Sequence, residues 1–334
     1  MNRGLEHYKA KDYPGVIVDC TEAIKLDPNL ALAHTFRGVA YFKSDQYDEA
    51  ITDLTEAIRL DPTDATSFEY RGKAYSNKSK YDQAITDYSE AIRLDPKDSS
   101  SYMFRGIAYY YKNNYDQAIA DCTQAIMLNP KYDDAYFIRG SAYIKKDKHD
   151  NAIADLTKAI DLDPKDANYY SVRGIAYAEK DDYDKALADY SEAIKLGTKG
   201  GDVYARRGTA NYEKNRYDEA IADCSEAIRL GERDPGVYRA RGMSYYNKEK
   251  YDQAISDFTE LIKLDPESAA PYVIRGLSYY QKGNFESAVK DCTEAIKLDP
   301  NSKNGYDVRA LAYAKLGESE KAEADRQKAK ALEK

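Results

Sequence analysis

The chain has 334 residues, a formal net charge of −8, 33 tyrosines, 7 phenylalanines and no tryptophan. Its pI near 5.2 excludes a nucleic-acid surface, which needs a clustered basic face. No apolar run approaches the ~20 residues of a membrane span and no signal peptide is visible, so membranes are not an expected partner either.

The dipeptide Arg-Gly begins at residues 3, 37, 71, 105, 139, 173, 207, 241 and 275, always 34 apart. A tenth copy at Arg309 carries Ala310 in place of glycine. A fixed period of this size marks a solenoid, whose units bury their apolar faces only by stacking on neighbours. The units run approximately 1–30, 31–64, 65–98, 99–132, 133–166, 167–200, 201–234, 235–268, 269–302 and 303–334. No linker or shift in composition separates them, so residues 1–334 read as a single array. A mean hydropathy of −0.77 would suit a disordered chain, but here the apolar residues fall in register in every unit.

The first unit is entered late, at Met1-Asn2-Arg3. The expectation is a trimmed N-terminus that leaves apolar surface uncovered, with self-association through that end into a concentration-dependent dimer. The second unit shows the full pattern. Residues 31–44 read ALAHTFRGVAYFKS, with His34, Gly38 and Tyr41 at helical intervals. Residues 46–62 read QYDEAITDLTEAIRLDP and place Tyr47, Ala50, Ile51, Leu54, Ala57, Ile58 and Leu60 on one stripe. Spacings of three, four and seven predict two amphipathic helices, each of ~12–15 residues. The polar stretch Lys43 to Gln46 turns the chain, and Asp61-Pro62 stops the second helix. Gly38, Ala40, Ala50 and Ala57 mark close helix contact, the reason a glycine recurs inside a helix at all.

Further along, Leu196-Gly197-Thr198-Lys199-Gly200-Gly201 replaces the Asp-Pro ending, and Leu230-Gly231-Glu232-Arg233-Asp234-Pro235-Gly236 does so again one unit later. Two readings stand: glycine-terminated helices, or a softer segment that lets the ends flex. In the last unit Arg326 and Lys330 take places that are apolar elsewhere, which predicts a polar cap.

Three columns of the repeat carry chemistry. Cys20, Cys122, Cys224 and Cys292 share one column with Leu54, Tyr88, Leu156, Tyr190 and Phe258. Separated by multiples of 34 residues, they cannot meet, so they read as reduced core fillers suited to the cytoplasm, the expected location. Arginine fills one column from Arg3 to Arg309, and aspartate fills another from Asp19 to Asp325. Arg37 and Asp53 are equidistant from the turn near residue 45, which predicts an arginine–aspartate ladder across the hairpins. The competing reading, a basic stripe for acidic ligands, is opposed by the matching acids.

On His34, Gly38, Tyr41, Ala50, Leu54, Ala57 and Pro62, repeated in register, the chain resembles tetratricopeptide repeat (TPR) proteins. Tyr102, Tyr136, Tyr170, Tyr204, Tyr238, Tyr272 and Tyr306 stand where that family usually has tryptophan. The resemblance implies an all-α fold, a right-handed superhelical α-solenoid of antiparallel helix pairs. It also implies a concave groove lined by the first helix of each pair that holds peptides or protein segments.

The groove candidates flank the Arg-Gly pair. Before the arginine come Phe36, Tyr70, Phe104 and Ile138; after the glycine come Val39, Ile107, Ile175, Met243 and Leu277. Four residues beyond the glycine come Phe42, Tyr110, Ile144, Tyr212, Tyr246 and Tyr280. This surface is apolar and aromatic, although the same side chains also suit packing between neighbouring first helices. The carboxylate clamp of chaperone-binding relatives is not expected, because Lys73, Arg206 and Arg239 are scattered and have no asparagine beside them. His7, His34 and His149 lie in separate units without a nucleophile, and no phosphate-binding glycine loop appears, so no catalytic residue, metal or cofactor is expected. The reading is a non-enzymatic scaffold for a protein or peptide ligand. Its alternatives are the interaction or regulatory arm of a longer enzyme or signalling protein, or a structural self-assembling repeat protein.

Overall fold

The computed structural model describes residues 11–333, which among them form helices and no strands. Two compact units are present, Met1–Lys165 and Asp166–Lys334, and their border falls within a residue of a repeat boundary. The first contains α1 (Tyr13–Leu26), α2 (Ala31–Lys43), α3 (Tyr47–Leu60), α4 (Ala65–Asn77), α5 (Tyr81–Leu94), α6 (Ser99–Tyr111), α7 (Tyr115–Leu128), α8 (Asp133–Ile144) and α9 (His149–Leu162). The second contains α10 (Ala167–Ala178), α11 (Tyr183–Lys195), α12 (Gly201–Glu213), α13 (Tyr217–Arg229), α14 (Pro235–Asn247), α15 (Tyr251–Leu264), α16 (Ala269–Gln281), α17 (Phe285–Leu298), α18 (Lys303–Lys315) and α19 (Ser319–Ala331). The fold is an α-solenoid of antiparallel helix pairs, and within each compact unit a second helix packs on its own first helix and on the next one. First helices of successive repeats also touch within each compact unit, as α2 does α4 and α12 does α14, so they form a layer of their own.

The loops explain where the helices stop. Asp61 ends α3 in an extended conformation (φ −135°, ψ 92°), as a residue before proline must. Three residues later Asp64 caps α4 by accepting from the Thr66 N–H. Inside each hairpin one residue sits in the left-handed region: Asp45 (φ 58°), Ser79 (57°), Glu249 (57°) and Gly283 (84°) are examples. At the two irregular loops the glycine-terminated reading holds. Gly197 and Gly231 have φ of 92° and 95°, and the Thr198 N–H closes α11 on the Ala193 carbonyl at 3.3 Å.

Close approach is visible at the helical glycines. A Cβ on Gly38 would lie 2.7 Å from Leu54 Cγ, and one on Gly72 would lie 2.8 Å from the Tyr88 ring. All four cysteines are buried and free of disulfides. Burial pushes the Cys122, Cys224 and Cys292 thiols up to about 12. The last helix buries Ala322, Asp325 and Ala329 while Arg326 and Lys330 are exposed, the polar face that their sequence positions predict. The start of the first unit, on which the expectation of an open stacking end falls, lies outside the described residues.

Candidate functional site

Each described arginine of the repeat column, from Arg37 to Arg309, grips the aspartate sixteen residues on with two parallel bonds. Arg37 donates from Nε and Nη2 to the Asp53 carboxylate at 2.6 and 2.7 Å, and Arg139 does so to Asp155 at 2.7 and 2.7 Å. Within each compact unit the remaining Nη1 donates to a hydroxyl on the second helix of the preceding repeat. Arg37 reaches Thr21 at 3.1 Å, Arg105 reaches Ser89 at 3.0 Å and Arg275 reaches Thr259 at 3.0 Å. The planar guanidinium fork fits a carboxylate and a hydroxyl at once, which a lysine could not do. The Asp121 carboxylate hydrogen-bonded to Arg105 holds that guanidinium above its ordinary value. The column is therefore a structural ladder, and its charge is spent inside the fold rather than offered to an acidic ligand.

A second ladder escaped the sequence reading. Within each compact unit a lysine at the end of a first helix reaches back to an aspartate in the first turn of the preceding second helix, although Ser44 and Leu316 hold that place after α2 and α18. Lys78–Asp48 (2.6 Å), Lys214–Asp184 (2.9 Å) and Lys248–Asp218 (2.5 Å) are such rungs, as are Lys112–Asp82, Lys146–Asp116 and Lys282–Asp252. Both columns were visible in the sequence, but a separation of 30 residues crosses a repeat boundary, and hairpin symmetry gives no hint of it. Unlike the first ladder, these aspartates are exposed, and the lysine hydrogen bonds hold Asp48, Asp116 and Asp218 below the usual carboxylate range.

The first-helix layer carries the groove candidates, and none of them is fully exposed. Val39 retains 3% of its surface and belongs to the core with Ala50, Leu54 and Ala74, so it is a packing residue rather than a groove residue. The others are half-buried: Phe36, Phe42, Tyr70, Phe104, Ile107, Tyr110, Ile138 and Ile144 in the first compact unit, and Ile175, Tyr212, Met243, Tyr246, Leu277 and Tyr280 in the second. The rings four beyond the glycine are seated against the ring that opens their own second helix. Phe42–Tyr47, Tyr110–Tyr115, Tyr246–Tyr251 and Tyr280–Phe285 have centroids 5.8, 5.7, 5.6 and 5.5 Å apart. Such tilted pairs fix each ring in one orientation. Phe42 also meets Tyr70 of the next repeat edge-on at 5.6 Å, and Phe104 stacks on Tyr88 at 6.0 Å.

Exposed rather than half-buried on first helices are Leu32, Tyr111 and Leu311. Tyr111 stacks on Tyr81 at 5.4 Å. Of the basic candidates, Lys73 is committed to Glu69 at 2.5 Å and lies over the Tyr70 and Phe104 rings at 4.6 and 4.4 Å. Arg206 and Arg239 are exposed. Among the described residues no helix is long and apolar enough to cross a membrane.

Sequence models of the tetratricopeptide repeat match residues 171–236, 239–303 and 99–132, and a TPR repeat model matches 38–79, 72–111 and 140–181. No curated protein matches the chain. Among solved structures it is similar to YrrB, described as a TPR protein with an unusual peptide-binding site. The two are 26% identical over 55% of this chain and 95% of YrrB, with a TM-score of 0.52. It is also similar to pilF of Pseudomonas aeruginosa, at 16% identity over 63% of this chain and 95% of that one, with a TM-score of 0.56. The second likeness is one of fold alone.

Proposed function

Because this chain belongs to the tetratricopeptide repeat family, we propose that it is a non-enzymatic scaffold that holds an extended peptide or protein segment along its first-helix layer. The observation that carries the reading is the half-buried, pre-oriented rings on the first helices of each compact unit, Phe42 and Tyr110 in the first and Tyr246 and Tyr280 in the second. Rings already fixed by a neighbour lose little freedom when a ligand covers their open edge, so apolar contact there is not offset by ordering. The likeness to YrrB, whose own description includes a peptide-binding site, supports the same class of ligand.

Peptides selected from a displayed random library on the intact chain supply the test. Their affinity is then measured on the variant Phe104→Asp, Ile107→Lys, Tyr110→Asp. Loss of three central contacts should weaken binding by about a hundredfold or more. Undiminished binding with a retained helical signal would remove the layer as the ligand surface.

A further inference from the structure

A cavity of ≈340 Å3 opens in the second compact unit among α10, α11, α12 and the start of α14. That volume lies at the small end of ligand sites, ~300–1,000 Å3. It opens where a small residue interrupts a ringed column. Ala178 stands where Phe42, Tyr110, Tyr212 and Tyr246 close the surface of their own repeats. Ala205, in a column of mixed residues that holds Phe137 and Ser171 in the two repeats before it, leaves the wall of α12 low. The cavity lies between the two loops that abandon the Asp-Pro ending, and the second of them contributes Glu232 and Asp234 to its wall.

Tyr190 lines this cavity although only 1% of the residue is exposed. Three repeats earlier, its counterpart Tyr88 has the Ser76 hydroxyl at 3.3 Å. The counterpart of Ser76 is Ala178, and the Tyr190 hydroxyl has no hydrogen-bond partner among the described residues. The ring is packed away while the hydroxyl opens on the cavity, where it stands free to donate to a group that enters. Burial pushes the Tyr190 phenol up, which keeps its proton in place to donate. The charged lining is unequal: Asp202, Glu232 and Asp234 against Arg206. Asp202 and Arg206 lie one turn apart on α12, yet neither forms an ion pair among the described residues.

We propose that this cavity holds one basic residue, an arginine or a lysine, of a bound peptide. The excess of carboxylates favours a cation at that wall. The Tyr190 hydroxyl and the Arg206 guanidinium, which only donate or prefer to, take the carbonyl oxygens that flank the basic residue in any peptide. The Tyr183 ring in the same lining offers an apolar face to the side-chain stem or to a guanidinium plane. The inference rests on the peptide-binding reading above and names the side chain that the ligand presents.

The test uses three blocked amino acids on the full chain, titrated by ligand-observed NMR: N-acetyl-arginine amide, N-acetyl-norleucine amide and N-acetyl-glutamate amide. The arginine probe should bind about tenfold or more tightly than the norleucine probe, and the glutamate probe should bind weakest. Tyr190→Phe and Asp202→Asn should each weaken the arginine probe by about three- to tenfold, and Ala178→Tyr should abolish its binding. The same columns hold Phe258, Asn168 and Tyr212 elsewhere, so each substitution installs a residue the fold already accommodates. Equal binding of arginine and norleucine, indifference to all three substitutions, or tightest binding by glutamate would overturn the proposal. The probes are too small to need the rings of the first compact unit, so Phe104→Asp should leave them unaffected. Undiminished selected-peptide binding by the ring variant, with the arginine probe behaving as expected, therefore condemns the ring layer alone, and ring-dependent peptide binding with no preference for the arginine probe condemns the cavity alone.

Discussion

Asp155→Ala tests whether the arginine–aspartate ladder holds the repeats together. Both carboxylate oxygens of Asp155 accept from Arg139, and the two side chains keep only 10% and 16% of their surface. Removing the carboxylate leaves the guanidinium with only the Thr123 hydroxyl at 3.0 Å and the Tyr136 ring, whose centroid is 5.7 Å away. Breaking a buried pair from one side costs about 3–5 kcal/mol. Arg139 keeps one edge toward water, which places the expected loss near the lower end, about 3 kcal/mol. In a cooperative block the size of the first compact unit, that lowers the melting temperature by about 6–12 °C. Circular dichroism reads the melt, and hydrogen exchange shows whether α8 and α9 open first, as a solenoid with local contacts should allow. The double variant Arg139→Met, Asp155→Leu removes both charges and should recover most of the loss. A shift below about 2 °C for Asp155→Ala would mean that water reaches the guanidinium freely, and the ladder would then be decoration.

Three further outcomes follow from the same geometry. Glu249→Gly should stabilise the protein by about 0.5–1 kcal/mol in urea, because Glu249 holds φ 57° and relief of left-handed strain exceeds the added chain entropy; no gain would mean that the turn is not strained. Asp45→Gly should gain less, since the Asp45 carboxylate accepts from the Tyr47 hydroxyl at 2.7 Å. At pH 8 the native protein should resist a disulfide-exchange reagent, because burial raises all four thiols and three reach about 12; denaturant should release four thiols per chain, and rapid native labelling would contradict the packing. The lysine rungs give a pH signature. Asp48, Asp116 and Asp218 titrate below their ordinary 3.8 in the folded chain, so their contribution is complete above that value and is lost as pH falls through the lowered folded value. The stability gap between the parent and the variant Lys78→Met, Lys146→Met, Lys248→Met should therefore close below about pH 4, and a gap that widens in acid would refute the sign.

Much of the fold was legible because its determinants recur at fixed columns. Arg37 and Asp53 announce their pairing by standing equally far from the turn, and Gly38 announces its close approach by sitting inside a helix. Asp61-Pro62 announces a stop. What was not legible lacked either a fixed residue type or a fixed partner. The left-handed turn position is held by Asp45, Ser79, Asn113 and Glu249, and only Gly283 and Gly317 would have revealed its backbone. The lysine rungs join residues 30 apart across repeats, a distance that no hairpin symmetry suggests. Val39 was read as groove because a first-helix apolar residue satisfies core and ligand patterns equally well, and only its packing on Leu54 decides between them.

The division between uniform and variable columns has a physical consequence for binding. The ladders, the glycines and the buried alanines sit between the helices and fix the spacing of the repeats, so they leave no freedom to vary without loss of stacking. The ringed columns of the first-helix layer contribute to stacking only in part, since each ring is braced by its own repeat. A ring can therefore be dropped without collapse, as it is at Ser76, Ile144, Ala178 and Ala314, and at Ser76 and Ala178 the omission lies beside a cavity. The outcomes differ because the surroundings differ. At Ser76 the space is ≈180 Å3, the serine hydroxyl lies 3.3 Å from that of Tyr88, and Lys73 roofs it between Tyr70 and Phe104. At Ala178 the space is ≈340 Å3, the tyrosine hydroxyl is left without a partner, and carboxylates take the place of the lysine roof. One omission is answered within the chain and the other is not, and it is the unanswered one that selects for a basic side chain from outside.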